Sequence, residues 1–153
     1  IPTILRPGFI TEDDIKKAVG ISALSKQLFK KVSKDAQVES PGMKYRHYAP
    51  RTKCILVEKS PEQINKINKL IKGEKSVCVV GFSEDKEKIN TNKFINLGSK
   101  NDLNQIAKNV FSALRKIDKE NVDLAIIEGV EKKDLGLSIM NRLVRACENN
   151  VIE

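Results

Sequence analysis

Short apolar runs alternate with amphipathic helical patterns after residue 50 of this 153-residue chain, and this alternation narrows the possible folds more than any other feature. The runs lie at 54–57, 77–80, 94–97 and 124–127, with a short fifth strand candidate at 151–152. Strands that are apolar at every position are typical of parallel sheets covered on both faces. The sequence therefore predicts an α/β fold: a small Rossmann-like domain with a mostly parallel sheet of four or five strands and helices on both faces.

The helical segments between these runs carry recognisable start and stop signals. Ser60 is predicted as an N-cap with Pro61 at the first helical position, and Gly73 ends that helix. The strongest 3.6-residue periodicity covers 103–117, and a last helix is predicted from about Leu135 to Glu148.

The chain before residue 51 has a different organisation. In residues 1–20 the pattern predicts a short strand, a turn and a helix that begins at Thr11 with a capping box to Asp14. One strand and one helix cannot bury each other, so residues 1–20 are predicted to be the C-terminal remnant of an upstream domain. Residues 21–50 are then a connector, and residues 51–153 form the α/β domain.

A basic, aromatic segment ends the connector. Ser40–Pro50 reads SPGMKYRHYAP and contains both tyrosines of the chain and its only histidine, His47, among Lys44 and Arg46. Prolines at both ends favour an extended backbone that presents these side chains together. We interpret the segment as part of a ligand site, and the alternative is a solvated basic linker.

Charge and cysteine content limit the classes of partner and compartment. A net charge of +8 indicates anionic partners, so a freestanding RNA- or tRNA-binding module is one alternative function. Cys54, Cys78 and Cys147 lack metal-ligand spacing, which predicts reduced packing thiols, no metal site and a cytoplasmic location. No apolar run approaches the roughly 20 residues of a membrane helix.

Glycines follow three of the predicted strands. Gly81, Gly98 and Gly129 would lie at the carboxyl edge of the sheet, where open parallel sheets bind ligands. This pattern leaves open a small-molecule sensor as a second alternative function, or glycines that merely turn the chain. The chain has neither the dinucleotide nor the P-loop glycine pattern.

The last predicted helix carries a polar stripe beside its apolar face. Ser138, Asn141, Arg142 and Arg145 recur at helical spacing, and guanidinium groups suit carboxylates, phosphates or a neighbouring domain. A solvated basic face is the alternative.

Three stretches resemble one known family. Ser40–Pro50 closely resembles the interdomain motif of two-domain L-threonylcarbamoyladenylate synthases, which are YrdC-type enzymes with an added C-terminal domain. Residues 2–11 resemble the end of the YrdC-like catalytic domain. Residues 136–146 resemble that family's C-terminal signature, with Ser138 and Ile139 as minor departures.

The resemblance implies a nucleotidyltransferase that condenses L-threonine, bicarbonate and ATP, with Mg²⁺, into threonylcarbamoyl-AMP and pyrophosphate. The product serves threonylcarbamoyladenosine modification of tRNA, so the tRNA-modification machinery is an implied partner. The linker would close over the upstream YrdC-like domain. The residues implied at the ATP and threonine side are Arg6, Ser40 and Tyr45, and the accessory catalytic residues of the lid are Lys44, Arg46 and His47. The family's Lys-x-Arg and Ser-x-Asn elements are absent, so the chain alone is predicted to be inactive.

Overall fold

The computed structural model describes residues 3–20, 23–24, 49–74 and 76–153. The strands are β1 Thr3–Ile4, β2 Ala23–Leu24, β3 Lys53–Val57, β4 Val77–Gly81, β5 Phe94–Asn96, β6 Leu124–Glu128 and β7 Val151–Ile152. The helices are α1 Glu12–Val19, α2 Gln63–Lys72, α3 Leu103–Lys119 and α4 Leu135–Ala146, with a 3₁₀ helix at Ser83–Lys88.

Five strands form one sheet in the order β5-β4-β6-β3-β7, and every pair in it is parallel. The predicted α/β class and parallel sheet are confirmed, and the fifth strand at Val151–Ile152 pairs with β3. Numbered within the sheet, the order is 3-2-4-1-5, whereas the Rossmann order places the first strand beside the second. An open, all-parallel α/β sheet is therefore the description that the topology supports.

The core lies on both faces of this sheet, as predicted. On one face α3 and α4 pack on alternate strand residues such as Leu56 and Val80. On the other face α2 packs through Ile67 on Val79 and Ile126. Ile67 is fully buried, and burial of a side chain of this size stabilises a fold by about 1.5–3 kcal/mol.

The N-terminal segment forms a small unit against α4. Its predicted capping box is present: Asp14 N–H donates to Thr11 Oγ1 at 3.2 Å, and Thr11 N–H donates to Asp14 Oδ2 at 2.9 Å. Strand β1 pairs in parallel with β2, which lies in the stretch predicted to be only a connector. Helix α1 buries no residue, and Phe9 is 82% exposed.

The predicted start of the second helix is wrong. Helix α2 begins at Gln63, and the side chain at its N-cap position makes no capping hydrogen bond to the helix backbone. Ser60 Oγ has no partner within the described part of the chain. The buried Gln63 amide donates instead to the carbonyls of Val57, at 3.0 Å, and Gly129, at 2.9 Å. These two bonds to β3 and to the end of β6 set where the helix begins, so tertiary contacts override the local capping signal.

The last helix is two residues shorter than predicted. It ends at Ala146 because Glu148 and Asn149 take positive φ values of 53° and 64°, which turn the chain toward β7. No helix among the described residues is long and apolar enough to span a membrane.

Candidate functional site

A cavity opens at the carboxyl edge of the sheet between β4 and β6. From β4 the chain moves outward to β5, and from β6 it moves to β7 on the opposite side. This is the topological switch point at which open α/β sheets bind ligands. The cavity has a volume of about 220 Å³, and its lining includes Gln63, Phe82, Asp85, Lys100, Leu103 and Glu128. We call it the rim cavity.

Glu128 is the buried carboxyl group of the rim cavity. It ends β6, is 1% exposed, and accepts a hydrogen bond at Oε1 from Phe82 N–H at 3.1 Å. A Cβ atom on Gly81 would lie 2.7 Å from Glu128 Oε1. The absence of a side chain at Gly81 therefore provides the space that the carboxyl group occupies.

Asp85 is the second buried carboxyl group. It lies on the 3₁₀ helix, is 2% exposed, and accepts two hydrogen bonds from Lys100 Nζ, both at 3.0 Å. Lys88 Nζ lies 3.8 Å from Asp85 Oδ1. Asp85 is thus an ionised carboxylate held by two lysines.

The two carboxyl groups share a single proton at neutral pH. Burial, together with the hydrogen bond to Asp85, raises the pKa of Glu128 to about 8. The hydrogen bond from Glu128 and then that from Lys100 hold the pKa of Asp85 below its usual range, against the opposing effect of burial. In the described residues no N–H or hydroxyl donor reaches Glu128 Oε2, so the carboxyl group gains a partner there only by protonation or from a ligand.

A second, more open groove adjoins the rim cavity. It has a volume of about 610 Å³ and shares Lys59, Val130 and Glu131 with the rim cavity. Lys132 lines this groove and forms an ion pair with Glu58 at 2.6 Å. Lysines therefore line the route from solvent to the buried carboxyl pair.

The predicted glycine rim lies where the sequence analysis placed it. Gly81 ends β4, Gly129 directly follows β6, and Gly98 follows β5 with φ of 109°. Gly129 lines the rim cavity, whereas Gly98 does not. Sequence reasoning missed Glu128 and Asp85; the available signal was an acidic residue closing an otherwise apolar strand just before a glycine.

The predicted polar stripe of the last helix is divided by its contacts. Ser138 and Asn141 are buried, and Ser138 Oγ donates to the carbonyl of Pro7 at 3.3 Å. The guanidinium carbon of Arg142 lies 4.5 Å from the Phe111 ring centroid. Burial lowers the pKa of Arg145, which is half-buried. The stripe thus docks the N-terminal segment through Ser138 and is not one uniform solvated face.

The residues predicted for the lid fall mostly outside the described part of the chain. Ser40, Lys44, Tyr45, Arg46 and His47 lie outside the described residues. Arg6 is described and exposed, in the turn between β1 and α1. No cluster of three or more His, Cys, Asp or Glu suited to a metal ion occurs in the ranges that the structure describes.

The chain is anchored where it leaves the predicted lid. Pro50 is buried, and the next two backbone N–H groups, of Arg51 and Thr52, donate to the Asp118 carboxylate at 3.1 and 3.0 Å. Although burial acts to raise it, the pKa of Asp118 lies below its usual value because Thr52 and Arg51 donate to the ionised form.

The three cysteines are free and buried, as the sequence analysis predicted for packing thiols. Burial raises the pKa of Cys78 to about 11, which keeps this thiol protonated and unreactive at neutral pH.

Comparison with known proteins identifies relatives along nearly the whole chain. The chain is 36% identical over 158 residues to the threonylcarbamoyl-AMP synthase of Pyrococcus abyssi, a match that covers 99% of this chain and 44% of the relative. It is 35% identical over 153 residues to the threonylcarbamoyl-AMP synthase of Bacillus subtilis, with 99% of this chain and 43% of the relative covered. The chain therefore spans less than half the length of these curated relatives.

A solved structure agrees with these matches. The crystal structure of the P. abyssi Sua5 protein with L-threonine superposes with a TM-score of 0.81 at 36% identity, and covers 98% of this chain and 43% of that protein. The profile of the family described as "Threonylcarbamoyl-AMP synthase, C-terminal domain" matches residues 10–147. The chain therefore belongs to the family of threonylcarbamoyl-AMP synthase C-terminal domains.

Proposed function

We propose that the chain acts as the C-terminal part of a threonylcarbamoyl-AMP synthase. The complete enzyme would condense L-threonine, bicarbonate and ATP into threonylcarbamoyl-AMP and pyrophosphate, for threonylcarbamoyladenosine modification of tRNA. The supporting observation is that relatives with this name align with 99% of the chain, including the stretch that carries the SPGMKYRHYAP segment. The proposed substrate L-threonine is also the ligand named for the related P. abyssi structure.

The proposed role of this part is to supply a lid. Both stretches that flank the connector are attached to the α/β domain: Pro7 accepts from Ser138, and Thr52 donates to Asp118. The stretches on both sides of the connector therefore contact the same body. A lid held in this way would cover a nucleotide bound by the upstream YrdC-like domain and keep water from a labile acyl-adenylate.

Each lid residue has a proposed chemical role. The exposed guanidinium of Arg6 suits a bidentate grip on phosphate oxygens, with Ser40 and Tyr45 as further hydrogen-bonding groups at the ATP and threonine. When a carbamate oxygen attacks the α-phosphorus and pyrophosphate leaves, negative charge increases on the phosphate oxygens. Lys44 and Arg46 would stabilise that charge. His47 follows Lys44 and Arg46 in the sequence; these cations would disfavour the imidazolium, so His47 would hydrogen-bond the ligand as a neutral imidazole.

Mg²⁺ is the proposed ion because it neutralises nucleotide phosphates during displacement. The described residues offer no carboxylate or histidine cluster that would hold it. We therefore assign the ion to the nucleotide and to groups outside the described part of the chain. The buried free thiols are consistent with the proposed cytoplasmic location.

The test compares variants in a protein that joins this chain to an upstream YrdC-like domain. ATP-, threonine- and bicarbonate-dependent formation of threonylcarbamoyl-AMP is measured for the parent, Lys44→Ala and His47→Ala, with Lys69→Ala as control because Lys69 lies exposed on α2. We expect losses of at least about tenfold in the two lid variants, since removing one stabilising donor commonly costs more than that.

The chain without the upstream domain should form no product. Rates in Lys44→Ala and His47→Ala equal to the rate of Lys69→Ala would contradict the lid, and turnover by the isolated chain would contradict the assigned division of roles.

A further inference from the structure

We propose that the rim cavity is a second ligand site, which binds a small molecule with an N–H donor at one end and an anionic group at the other. The donor would hydrogen-bond Glu128 Oε2, and the anionic group would lie among the lysines at the mouth. Free α-amino acids and nucleotides are the two sources of this chemistry. This site would lie in the α/β domain alone and would be independent of the proposed lid.

Within the described part of the chain, the buried Glu128 carboxyl group has, besides Phe82 N–H, only the proton shared with Asp85 as a bonding partner. Buried polar atoms in native proteins are nearly always hydrogen-bonded, yet no N–H or hydroxyl group of the described residues donates to Glu128 Oε2. Because Phe82 N–H donates to Oε1, Oε2 is the oxygen at which a donor of the occupant would replace the proton shared with Asp85. An ammonium, a ring N–H or an exocyclic amine would supply this donor.

The backbone of β4 makes room for this carboxyl group. Gly81 stands next to Glu128 across the β4–β6 pair, and a Cβ there would approach Oε1 to 2.7 Å. Lys100, in the loop after β5, donates to Asp85 and holds this second carboxylate in the lining of the same cavity. Three segments therefore meet at the switch point of the sheet, where ligand sites of this architecture lie. They are β4 with the 3₁₀ helix that follows it, the end of β6, and the loop after β5.

Positive and negative side chains balance each other around the cavity. Three lysines line it, and three carboxylates oppose them while Glu128 holds its proton. These groups are Lys59, Lys100 and Lys133, and Asp85, Glu131 and Asp134, with Lys88 also near Asp85. A lining with balanced charge favours a ligand that has a hydrogen-bond donor, either a cation or a neutral N–H group, together with an anionic group. It disfavours a simple anion such as inorganic phosphate.

Size sets the class of ligand. The volume of about 220 Å³ is below the roughly 300–1,000 Å³ of pockets for drug-sized ligands. It suits a whole amino acid, or the base of a nucleotide stacked near Phe82. In the nucleotide case the phosphate would extend toward Lys59 in the adjoining groove, whose volume is about 610 Å³.

Isothermal titration calorimetry on the purified chain tests the site. The probes are the standard L-amino acids, then AMP and GMP, with inorganic phosphate as a reference anion. Saturable binding of an amino acid or of a nucleotide supports the proposal and identifies the source. Absence of saturable binding by every amino acid and nucleotide up to about 1 mM, or binding by phosphate as tight as theirs, overturns it.

Two variants then locate the ligand. Glu128→Gln keeps an oxygen for Phe82 N–H but places an amide where an acceptor is needed, so binding should weaken at least about tenfold. Glu74→Gln is the matched control, because Glu74 is an exposed carboxylate after α2 and does not line the rim cavity or the adjoining groove, and it should change affinity less than about threefold. Equal effects of the two variants would place the ligand elsewhere and overturn the proposal.

Two further measurements test the site even if Glu128→Gln folds poorly. Lys59→Met removes an exposed cation at the mouth and should weaken binding at least about threefold. In wild type at pH 7, binding should release close to one proton per site, since a ligand donor replaces the proton on Glu128. The released proton is measured by comparing binding enthalpies in buffers of different ionisation enthalpy. No dependence on the buffer together with an unaltered Lys59→Met affinity would contradict the site.

Discussion

At the scale of single residues, the most consequential arrangement is the pair Glu128 and Asp85. The buried carboxyl group of Glu128 lies close to Gly81 and retains its proton. The carboxylate of Asp85 is ionised and accepts a hydrogen bond from Lys100. Two neighbouring carboxyl groups with opposite pKa shifts make the stability of the chain depend on pH within the neutral range.

The pH dependence has a definite sign. The pKa of Glu128 is about 8 in the folded chain against an ordinary value of 4.5, so the folded state holds this proton more tightly. Its contribution to stability is complete below pH 4.5 and is lost as the pH rises toward 8. The Asp85 contribution runs the other way, being present above its ordinary value of 3.8 and lost as the pH falls below it. Between about pH 5 and pH 8, the change in the free energy of unfolding with pH therefore comes from Glu128.

Glu128→Gln should remove this dependence. We expect the free energy of unfolding of wild type to fall by on the order of 1 kcal/mol per pH unit across that window, and that of the variant to stay level. Urea denaturation at a series of pH values measures both. Parallel curves for the two proteins would show that Glu128 is not the titrating group.

At the scale of elements, the loop between β6 and α4 depends on close packing around Gly136. A Cβ on Gly136 would lie 2.1 Å from the carbonyl oxygen of Glu131, which is backbone. The same loop carries Lys133 and Asp134, which line both the rim cavity and the cleft beside the N-terminal segment. Asp134 itself takes a φ of 53°, a conformation that costs a non-glycine residue free energy.

Gly136→Ala should destabilise the chain by at least about 2 kcal/mol, because the backbone of the loop must move to admit the methyl group. Gly73→Ala is the matched control: its nearest new contact would be an ordinary 3.7 Å, and its φ is −81°. Chemical denaturation compares the two. A loss for Gly136→Ala no greater than that for Gly73→Ala would contradict the geometry of this loop.

Helices and strands could be predicted from the sequence where local signals or hydrophobic periodicity determine the structure. The apolar runs predicted strands β3 to β6 to within a residue at each end, because strands buried on both faces must be apolar throughout. Helix α2 was misplaced at its start because buried bonds from Gln63 to two strand ends outweigh the cap signal of Ser60. The 3₁₀ helix at Ser83–Lys88 is polar and aperiodic, and it is held by contacts from residues distant in sequence, such as Lys100.

The candidate site was predictable only in outline. Glycines at strand ends predicted the correct edge of the sheet, since the carboxyl ends of parallel strands lie together. The partners of Glu128 could not be predicted in this way. Gly81, Phe82 and Asp85 meet it only after the strand order β4-β6 is known, and that order depends on the whole sheet.

At the scale of the whole molecule, one body holds both flanks of the predicted lid. Asp118 near the end of α3 binds the backbone after Pro50, and α4 binds the N-terminal segment through Ser138. The exposed apolar side chains Phe9 and Ile10 lie on that segment, a few residues after Arg6 in the sequence. In the proposed complete enzyme, we expect these surfaces to face an upstream YrdC-like domain, so that Arg6 and the proposed lid approach one nucleotide.

Photo-crosslinking with an azido derivative of ATP tests this central claim most directly. In a protein that joins this chain to an upstream YrdC-like domain, the proposed lid predicts that irradiation labels the peptide containing Lys44–Tyr48, and that excess ATP abolishes the label. Labelling confined to other peptides, with residues 40–50 unmodified at saturating probe, would contradict the placement of the lid over the nucleotide.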